Sequence, residues 1–149
     1  MTKTLALCSS ASFYEHVVSI ADELERAGCD VIIPKSAAQM RERGDFTVRK
    51  TWYDDPSAYD QKADYMRSHF DAISRADGIL VVNDEKHGVP GYIGPNVLME
   101  MSLAWYQQKP IFMLHSYPDT SPYEEEIKGI QPIVLDNNLS HIIEEFNRG

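Results

Sequence analysis

One glutamate interrupts the most apolar helical stretch of this chain, and that stretch lies between two apolar strand patterns. The strands are predicted over residues 78–82 and 110–114, and a glycine- and proline-rich loop leads from the first into the helix that carries Glu100. Strand, loop, helix and strand form a βαβ unit, which places both strands parallel in one sheet. Open sheets of this kind bind ligands at the carboxyl ends of their strands. Glu100 is therefore either a reactive carboxylate at that edge or a residue on the wet face of its helix.

The same alternation of strands and helices runs through the rest of the chain. Further short apolar strands are predicted near residues 4–8, 29–33 and 133–135, and amphipathic helices separate them. This pattern predicts an α/β fold, a doubly wound, mostly parallel five-stranded sheet with helices on both faces. The 149 residues fit a single domain, 1–149. Residues 35–57 are harder to interpret, because a long polar connection is either a functional lid or a mobile loop.

Composition excludes several classes of function. The formal net charge of −9 disfavours binding to a nucleic-acid polymer, although it leaves a mononucleotide possible. Cys8 and Cys29 fall at strand ends and are interpreted as small core residues in a reducing compartment. The amino-terminal apolar stretch is too short for a signal peptide, and no apolar run is long enough to span a membrane. We therefore expect a cytoplasmic protein without membrane association.

The turn after the first strand is a candidate for ligand contact. Ser9, Ser10 and Ser12 supply hydroxyl donors there, and backbone amides at a helix start attract anions. Ser12 to Glu15 also matches a capping box, so Ser12 either only caps the helix or caps it and touches a ligand. Phe13 joins the serines as a substrate-binding candidate. The turn lacks the glycine and lysine pattern of dinucleotide and Mg-ATP sites.

The loop over residues 83–96 is the richest polar segment. Asp84 follows the third strand directly and is either a ligand contact or part of a solvated charged turn. Glu85 and Lys86 are expected to belong to that solvated turn. Tyr92, Gly94 and Asn96 lie where the loop enters the next helix and are further substrate-binding candidates.

Two groups besides Asp84 are candidates to assist Glu100. The positive end of its helix is expected to keep Glu100 ionised, and an ionised carboxylate can attack an anomeric carbon. His69 and Asp71 lie late in the preceding helix, where His69 is either a general acid or a hydrogen-bonded helix residue. His87, His115 and His141 show no metal-ligand spacing, so neither a metal nor another cofactor is expected.

These segments together resemble the nucleoside 2-deoxyribosyltransferase superfamily, which includes deoxynucleoside-monophosphate N-glycosidases. The resemblance is strongest over residues 70–114 and rests on the serine turn, the strand before the loop, and the sequence Glu-Met-Ser-Leu-Ala that begins at Glu100. It implies a Rossmann- or flavodoxin-like domain in which Glu100 is the nucleophile that forms a glycosyl-enzyme. Family members often read Glu-Leu-Gly at that point and carry an aspartate where His69 aligns best here, which indicates a divergent branch.

The resemblance implies cleavage or transfer at the N-glycosidic bond of a nucleoside or a nucleoside 5′-monophosphate. By the same analogy the serine turn and Asn96 are candidates for a 5′-phosphate. The alternatives are a nucleotide-binding or sensory module without catalysis and a structural domain without a small ligand. A homodimer or higher homo-oligomer is also implied, and the apolar side chains around Glu100 favour it: Met99, Met101, Trp105 and Tyr106.

Overall fold

The chain folds around one parallel sheet. The computed structural model describes residues 2–48, 55–117 and 121–148. Within these ranges it contains five strands and six α-helices, and a short 3-10 turn precedes the first helix. The elements are β1 (Thr4–Cys8), the 3-10 turn (Ala11–Phe13), α1 (Tyr14–Arg26), β2 (Asp30–Ile32), α2 (Lys35–Arg43), α3 (Ala58–Arg75), β3 (Gly78–Val81), α4 (Pro95–Tyr106), β4 (Ile111–Met113), α5 (Glu124–Ile130), β5 (Ile133–Val134) and α6 (Ser140–Arg148).

The strand order is β2-β1-β3-β4-β5, and every neighbouring pair is parallel. The prediction of a doubly wound, five-stranded parallel sheet is therefore confirmed. The chain turns from one side of the sheet to the other between β1 and β3, which pair with Leu5 opposite Gly78. A crevice forms outside the carboxyl ends of the strands at such a switch point, and ligands of this fold type bind there.

Alternating side chains of the strands divide the core into two layers. In β1, Leu5 and Leu7 point to one layer, and Ala6 and Cys8 point to the other. The first layer is covered by α1, α2 and α6, and the second by α3, α4 and α5, as their buried residues show. Burial on both faces explains why the central strands are continuously apolar and do not alternate with polar residues.

The start of α1 differs from the predicted capping box. The helix begins at Tyr14, its N-cap is Phe13, and no side chain makes a capping hydrogen bond there. Ser10 has the capping position instead, two residues earlier, where its Oγ accepts from the backbone N–H of Ser12 at 3.4 Å. The 3-10 turn over Ala11–Phe13 shifts the entry of the helix, so the prediction that Ser12 caps α1 is wrong.

The segment between β2 and α3 is partly helical. Helix α2 ends at Gly44, which has a left-handed conformation with φ of 67°. Glycine adopts that conformation without steric cost. Residues up to Val48 then extend over the strand ends, whereas Trp52 and Tyr53 lie outside the described residues.

Helix α4 leaves part of its apolar surface uncovered. Trp105 and Tyr106 are 55% and 80% exposed, and Met99 is also exposed. Met101 is fully buried against the sheet, so its expected place in a surface patch is wrong. None of the helices in the described part of the chain is long and apolar enough to cross a membrane.

Candidate functional site

A cleft of about 930 Å³ opens beside the carboxyl ends of β1 and β3. Its walls come from the turn after β1, from α2 and the residues after it, from α3, and from the loop that begins α4. Seven of the predicted site residues line it: Ser9, Ser10, His69, Tyr92, Gly94, Asn96 and Glu100. The cleft thus lies at the switch point of the sheet, where the fold predicts a ligand site.

Three side chains from three separate elements meet at one wall of this cleft. His69 Nε2 of α3 lies 3.6 Å from Glu100 Oε2 of α4 and 3.5 Å from Cys8 Sγ at the end of β1. The side chain of Glu100 is 12% exposed, and the side chain of His69 is 6% exposed. Cys8 is fully buried behind them. The packing of α3 against α4 therefore places a carboxyl group and an imidazole in contact at the cleft surface.

Burial sets the protonation of this pair. It raises the pKa of Glu100 to about 8 and lowers the pKa of His69 to about 4, while a hydrogen bond to the backbone of Leu7 acts on His69 in the opposite direction. At neutral pH the pair therefore holds its proton on the carboxyl group, and the imidazole is neutral. The expectation that the helix start keeps Glu100 ionised is wrong. Glu100 lies beyond the first turn, where the helix dipole has weakened, and loss of solvent dominates.

Lys86 lines the cleft, although its sequence context predicts a solvated turn. Its Nζ donates to Ser10 Oγ at 3.0 Å and lies 5.0 Å from the centre of the Tyr92 ring. Tyr92 in turn packs edge-on against Phe13 and lies over Gly94, where a side-chain carbon would come within 3.2 Å of the Tyr92 hydroxyl. The expectation is therefore wrong for Lys86, because Ser10 and Tyr92 hold it against the cleft.

Two tyrosines bring further hydroxyl groups to the cleft. The hydroxyl of Tyr14 accepts from Ser36 Oγ at 3.0 Å. Burial raises the pKa of Tyr14, and this hydrogen bond offsets part of the rise. The hydroxyl of Tyr65 donates to Gln39 Oε1 at 2.5 Å. These contacts fix polar groups in the lining of the cleft, where they can orient a polar ligand.

The charge of the cleft differs from that of the chain. Its lining includes three cationic side chains, Arg43, Lys62 and Lys86, and two acidic ones, Asp45 and Glu100. Among the described lining residues, the positive side chains therefore outnumber the negative ones, and protonation of Glu100 at neutral pH widens the difference, although the chain carries −9 overall. A concave surface with this balance concentrates small anions.

Asp84 belongs to a different cluster. Its carboxylate lies 2.6 Å from His16 Nδ1 and 3.3 Å from His115 Nε2, and it does not line the cleft. The neighbouring Asn83 is fully buried and ties the ends of β3 and β4 together through two hydrogen bonds with the backbone of His115. Asp84 is thus turned towards α1 and β4, away from Glu100.

Three other predicted site residues also lie away from the cleft. Asp71 is on the exposed side of α3, two residues beyond His69 and therefore on another face of the helix. Ser12 is exposed, and Phe13 is buried in the core against Tyr92. None of the three lines the cleft, although Phe13 packs behind Tyr92, which does.

Several residues of the cleft carry no signal in the sequence. Cys8 is indistinguishable from any core residue at the end of a strand, and Tyr14 and Tyr65 lie at ordinary helix positions. Arg43 and Lys62 belong to charged stretches that are typical of solvated helix faces. Lys86 is an exception, because its position in the loop between a strand and a glycine-rich helix start indicates a place near the ligand site.

Comparison with solved structures finds one protein that shares the fold and a second with weaker similarity. The CMP N-glycosidase BcmB of Clostridium botulinum superposes with a TM-score of 0.50 and 14% identity, over 97% of this chain and 99% of that one. The flavoenzyme FerB of Paracoccus denitrificans, an NAD(P)H:(acceptor) oxidoreductase, gives a TM-score of 0.47 and 12% identity, over 92% of this chain and 77% of that one. A structural neighbour of this chain is thus an N-glycosidase, and identities this low establish a shared fold only.

No protein-family model matches the sequence, and no curated protein matches it.

Proposed function

We propose that this protein cleaves or transfers the N-glycosidic bond of a nucleoside or nucleoside 5′-monophosphate, with Glu100 as the nucleophile. The observation that carries the proposal is the contact between the buried carboxyl of Glu100 and the imidazole of His69, 3.6 Å apart, in the wall of a cleft of about 930 Å³. The cleft exceeds the volume of a mononucleotide and lies at the ligand-binding edge of the sheet. The shared fold with a CMP N-glycosidase supports the same reaction class.

The first step uses the single proton of the pair. Transfer of that proton from Glu100 to His69 gives a carboxylate and an imidazolium beside the sugar. The carboxylate oxygen forms a bond to the anomeric carbon while the bond from that carbon to the base nitrogen breaks, and the electron pair leaves with the base. His69 donates its proton to the departing base, which leaves a glycosyl ester on Glu100. Positive charge that develops on the sugar favours the ionised carboxylate, which offsets the cost of burying it.

The second step restores the enzyme. Water, or a second base in a transfer reaction, attacks the anomeric carbon while the ester bond to Glu100 breaks. Neutral His69 accepts the proton of the attacking group and returns it to Glu100. The pair ends as it began, with a protonated carboxyl and a neutral imidazole, so neither another acid nor another base is required.

The experiment that tests this function is product analysis. The protein is incubated with a pool of nucleosides, deoxynucleosides and their 5′-monophosphates, and the mixture is analysed by mass spectrometry. Release of a free base together with a sugar or sugar phosphate, or exchange of bases between nucleosides, supports the proposal. A protein that binds members of the pool but consumes none of them would instead be the non-catalytic binding module.

We expect 5′-monophosphates to be better substrates than nucleosides. Lys86 and Ser10 both line the cleft and are in contact, and Asn96 lies on the first turn of α4, four residues and one turn before Glu100. Backbone amides in the first turn of a helix have no acceptor within the helix and attract phosphate. A phosphate held there places the sugar towards Glu100.

Lys86→Ala should raise KM for a 5′-monophosphate roughly 10- to 100-fold, since a hydrogen bond to a charged group contributes about 1.5–3 kcal/mol. KM for the matching nucleoside should change little. Lys35→Ala, which removes an exposed lysine that does not line the cleft, is the matched control. An equal effect of Lys86→Ala on both substrates would remove Lys86 from phosphate binding.

The pH dependence of cleavage should follow the shared proton. In metal-free buffer with EDTA, kcat/KM should fall about tenfold per pH unit above pH 8, because loss of the Glu100 proton leaves none for the departing base. In His69→Ala the carboxyl has no partner to accept its proton, so kcat/KM should rise with pH as Glu100 ionises to solvent. A wild-type profile that rises through pH 8 would show a carboxylate that acts without the proton of the pair.

We also propose that the protein forms a homo-oligomer through the uncovered face of α4. Met99, Trp105 and Tyr106 are exposed there, and apolar surfaces of this kind mark interfaces. Light scattering at micromolar concentration should report a dimer or larger species, and Tyr106→Glu should shift it towards the monomer. A wild-type monomer at high concentration would contradict this expectation.

A further inference from the structure

We infer that Cys8, His69 and Glu100 form a binding site for a thiophilic divalent cation, with Zn²⁺ as the best match. Each of the three side chains presents one ligand atom, and these atoms all lie within 4.8 Å of one another. Sequence spacing shows no trace of this site, because its members are separated by about 61 and 31 positions along the chain. They come together only where the end of β1 passes beneath the contact of α3 with α4.

Two of the three separations between ligand atoms match tetrahedral zinc, and the third, between Cys8 Sγ and the Glu100 carboxyl, lies within 4.8 Å. Bonds of about 2.3 Å to sulfur and about 2.0–2.1 Å to nitrogen and oxygen imply separations of roughly 3.3–3.6 Å between ligand atoms. His69 Nε2 lies 3.5 Å from Cys8 Sγ and 3.6 Å from Glu100 Oε2. The donor set of one thiolate, one imidazole and one carboxylate favours zinc over magnesium or calcium, which prefer oxygen ligands alone.

The surroundings also suit a metal. Cys8 and His69 are buried, and each lies on a regular element of the core, so the backbone positions of the ligands are fixed. The hydrogen bond of His69 to the backbone of Leu7 orients the ring so that Nε2 faces the two other ligands. Glu100 and His69 line the cleft while Cys8 does not, so the fourth coordination position opens to the cleft and its water.

Metal binding would exclude the glycosidic reaction. Zn²⁺ takes the Glu100 oxygen and the His69 nitrogen that hold the proton of the pair, and it releases the protons of the Cys8 thiol and the Glu100 carboxyl to solvent. Binding of Zn²⁺ at this site is thus predicted to inhibit cleavage. This consequence rests on the proposed function, whereas metal binding itself does not.

The test is a Co²⁺ titration of EDTA-treated protein, followed by absorbance. Cobalt replaces zinc in such sites and gives a near-ultraviolet charge-transfer band only when a thiolate is a ligand. The band should saturate at one equivalent of Co²⁺ in the wild type, disappear in Cys8→Ser, and be displaced by Zn²⁺. Cys29→Ser is the matched control: Cys29 is the other buried cysteine, in the opposite core layer, where its Sγ lies 3.6 Å from the carbonyl oxygen of Lys3.

Two further measurements complete the test. Glu100→Gln retains shape and both other ligands, and it should weaken Co²⁺ binding at least about tenfold. If circular dichroism shows that Cys8→Ser does not fold, Glu100→Gln provides the test of the metal ligands in its place. Zn²⁺ should inhibit cleavage by the wild type at concentrations that match its dissociation constant, and Cys8→Ser should need at least about tenfold more Zn²⁺ relative to its own metal-free rate.

The absence of a thiolate band in the wild type would overturn the inference, and so would a band that persists in Cys8→Ser. Zinc binding that leaves cleavage unaffected would show that the metal lies away from Glu100. If no nucleoside or nucleotide is cleaved at all, the proposed function fails, and the cobalt spectrum still decides whether the metal site exists.

Discussion

Replacing Glu100 with glutamine should lower cleavage by at least about 10³-fold, since removal of a catalytic nucleophile typically costs more than that. The amide has nearly the same shape as the protonated carboxyl, which is the form of Glu100 at neutral pH. The cleft should therefore still bind the nucleotide with little change in dissociation constant. Turnover is measured by base release, and binding by calorimetry with the same substrate.

Two controls separate the nucleophile from its surroundings. His69→Ala should lower kcat by about 10²–10⁴-fold, which is the range for loss of acid–base assistance. Glu23→Gln changes an exposed glutamate of α1 away from the cleft and should have no effect. If Glu100→Gln retained full turnover on an established substrate, a covalent mechanism through this residue would be excluded.

The same substitution should make the protein more stable at neutral pH. The ordinary pKa of a glutamate is 4.5, and burial raises that of Glu100 to about 8 in the folded state. Between these values folding takes up a proton, so the free energy of unfolding of the wild type decreases as pH rises from about 4.5 to about 8. The free energy of unfolding of Glu100→Gln does not decrease in this way, because the amide does not titrate. At 1.36 kcal/mol per pH unit, its advantage is on the order of 3 kcal/mol at pH 7.

Thermal unfolding in EDTA at a series of pH values measures this difference. The melting temperatures of the wild type and Glu100→Gln should coincide near pH 4.5 and separate by several degrees at pH 7, with the variant higher. Glu23→Gln should follow the wild type throughout. A variant that is no more stable than the wild type at pH 8 would show that Glu100 is not desolvated. Such a loss of stability is expected where function requires an ionisable group to be buried.

The sheet and its order of elements could be predicted because local patterns carry them. The apolar strand of residues 78–82, the glycine-rich loop and the helix around Glu100 specify a βαβ unit without any distant contact. The edge at which ligands bind follows from strand direction alone. Ser9, Ser10, Gly94 and Asn96 follow from the same reasoning, because they lie directly after β1 or at the start of α4.

The composition of the cleft wall could not be predicted, since it depends on how helices pack. Asp71 and His69 both lie shortly before the third strand in sequence, but only the face of α3 that meets α4 brings His69 to Glu100. Asp84 follows β3 directly, yet His16 and His115 bind its carboxylate on the other side. The protonation of Glu100 depends on burial by residues far along the chain, which position in a helix does not reveal.

The most direct test of Glu100 as the nucleophile is to trap its glycosyl ester. A substrate analogue with fluorine at C2′ destabilises the positively charged transition states, and it should allow the ester to accumulate. The protein is mixed with the analogue, quenched in acid and digested, and both the released base and the peptide that contains Glu100 are quantified by mass spectrometry. One equivalent of base should be released for each glycosylated Glu100. Continued release of base while the Glu100 peptide stays unmodified would contradict the mechanism.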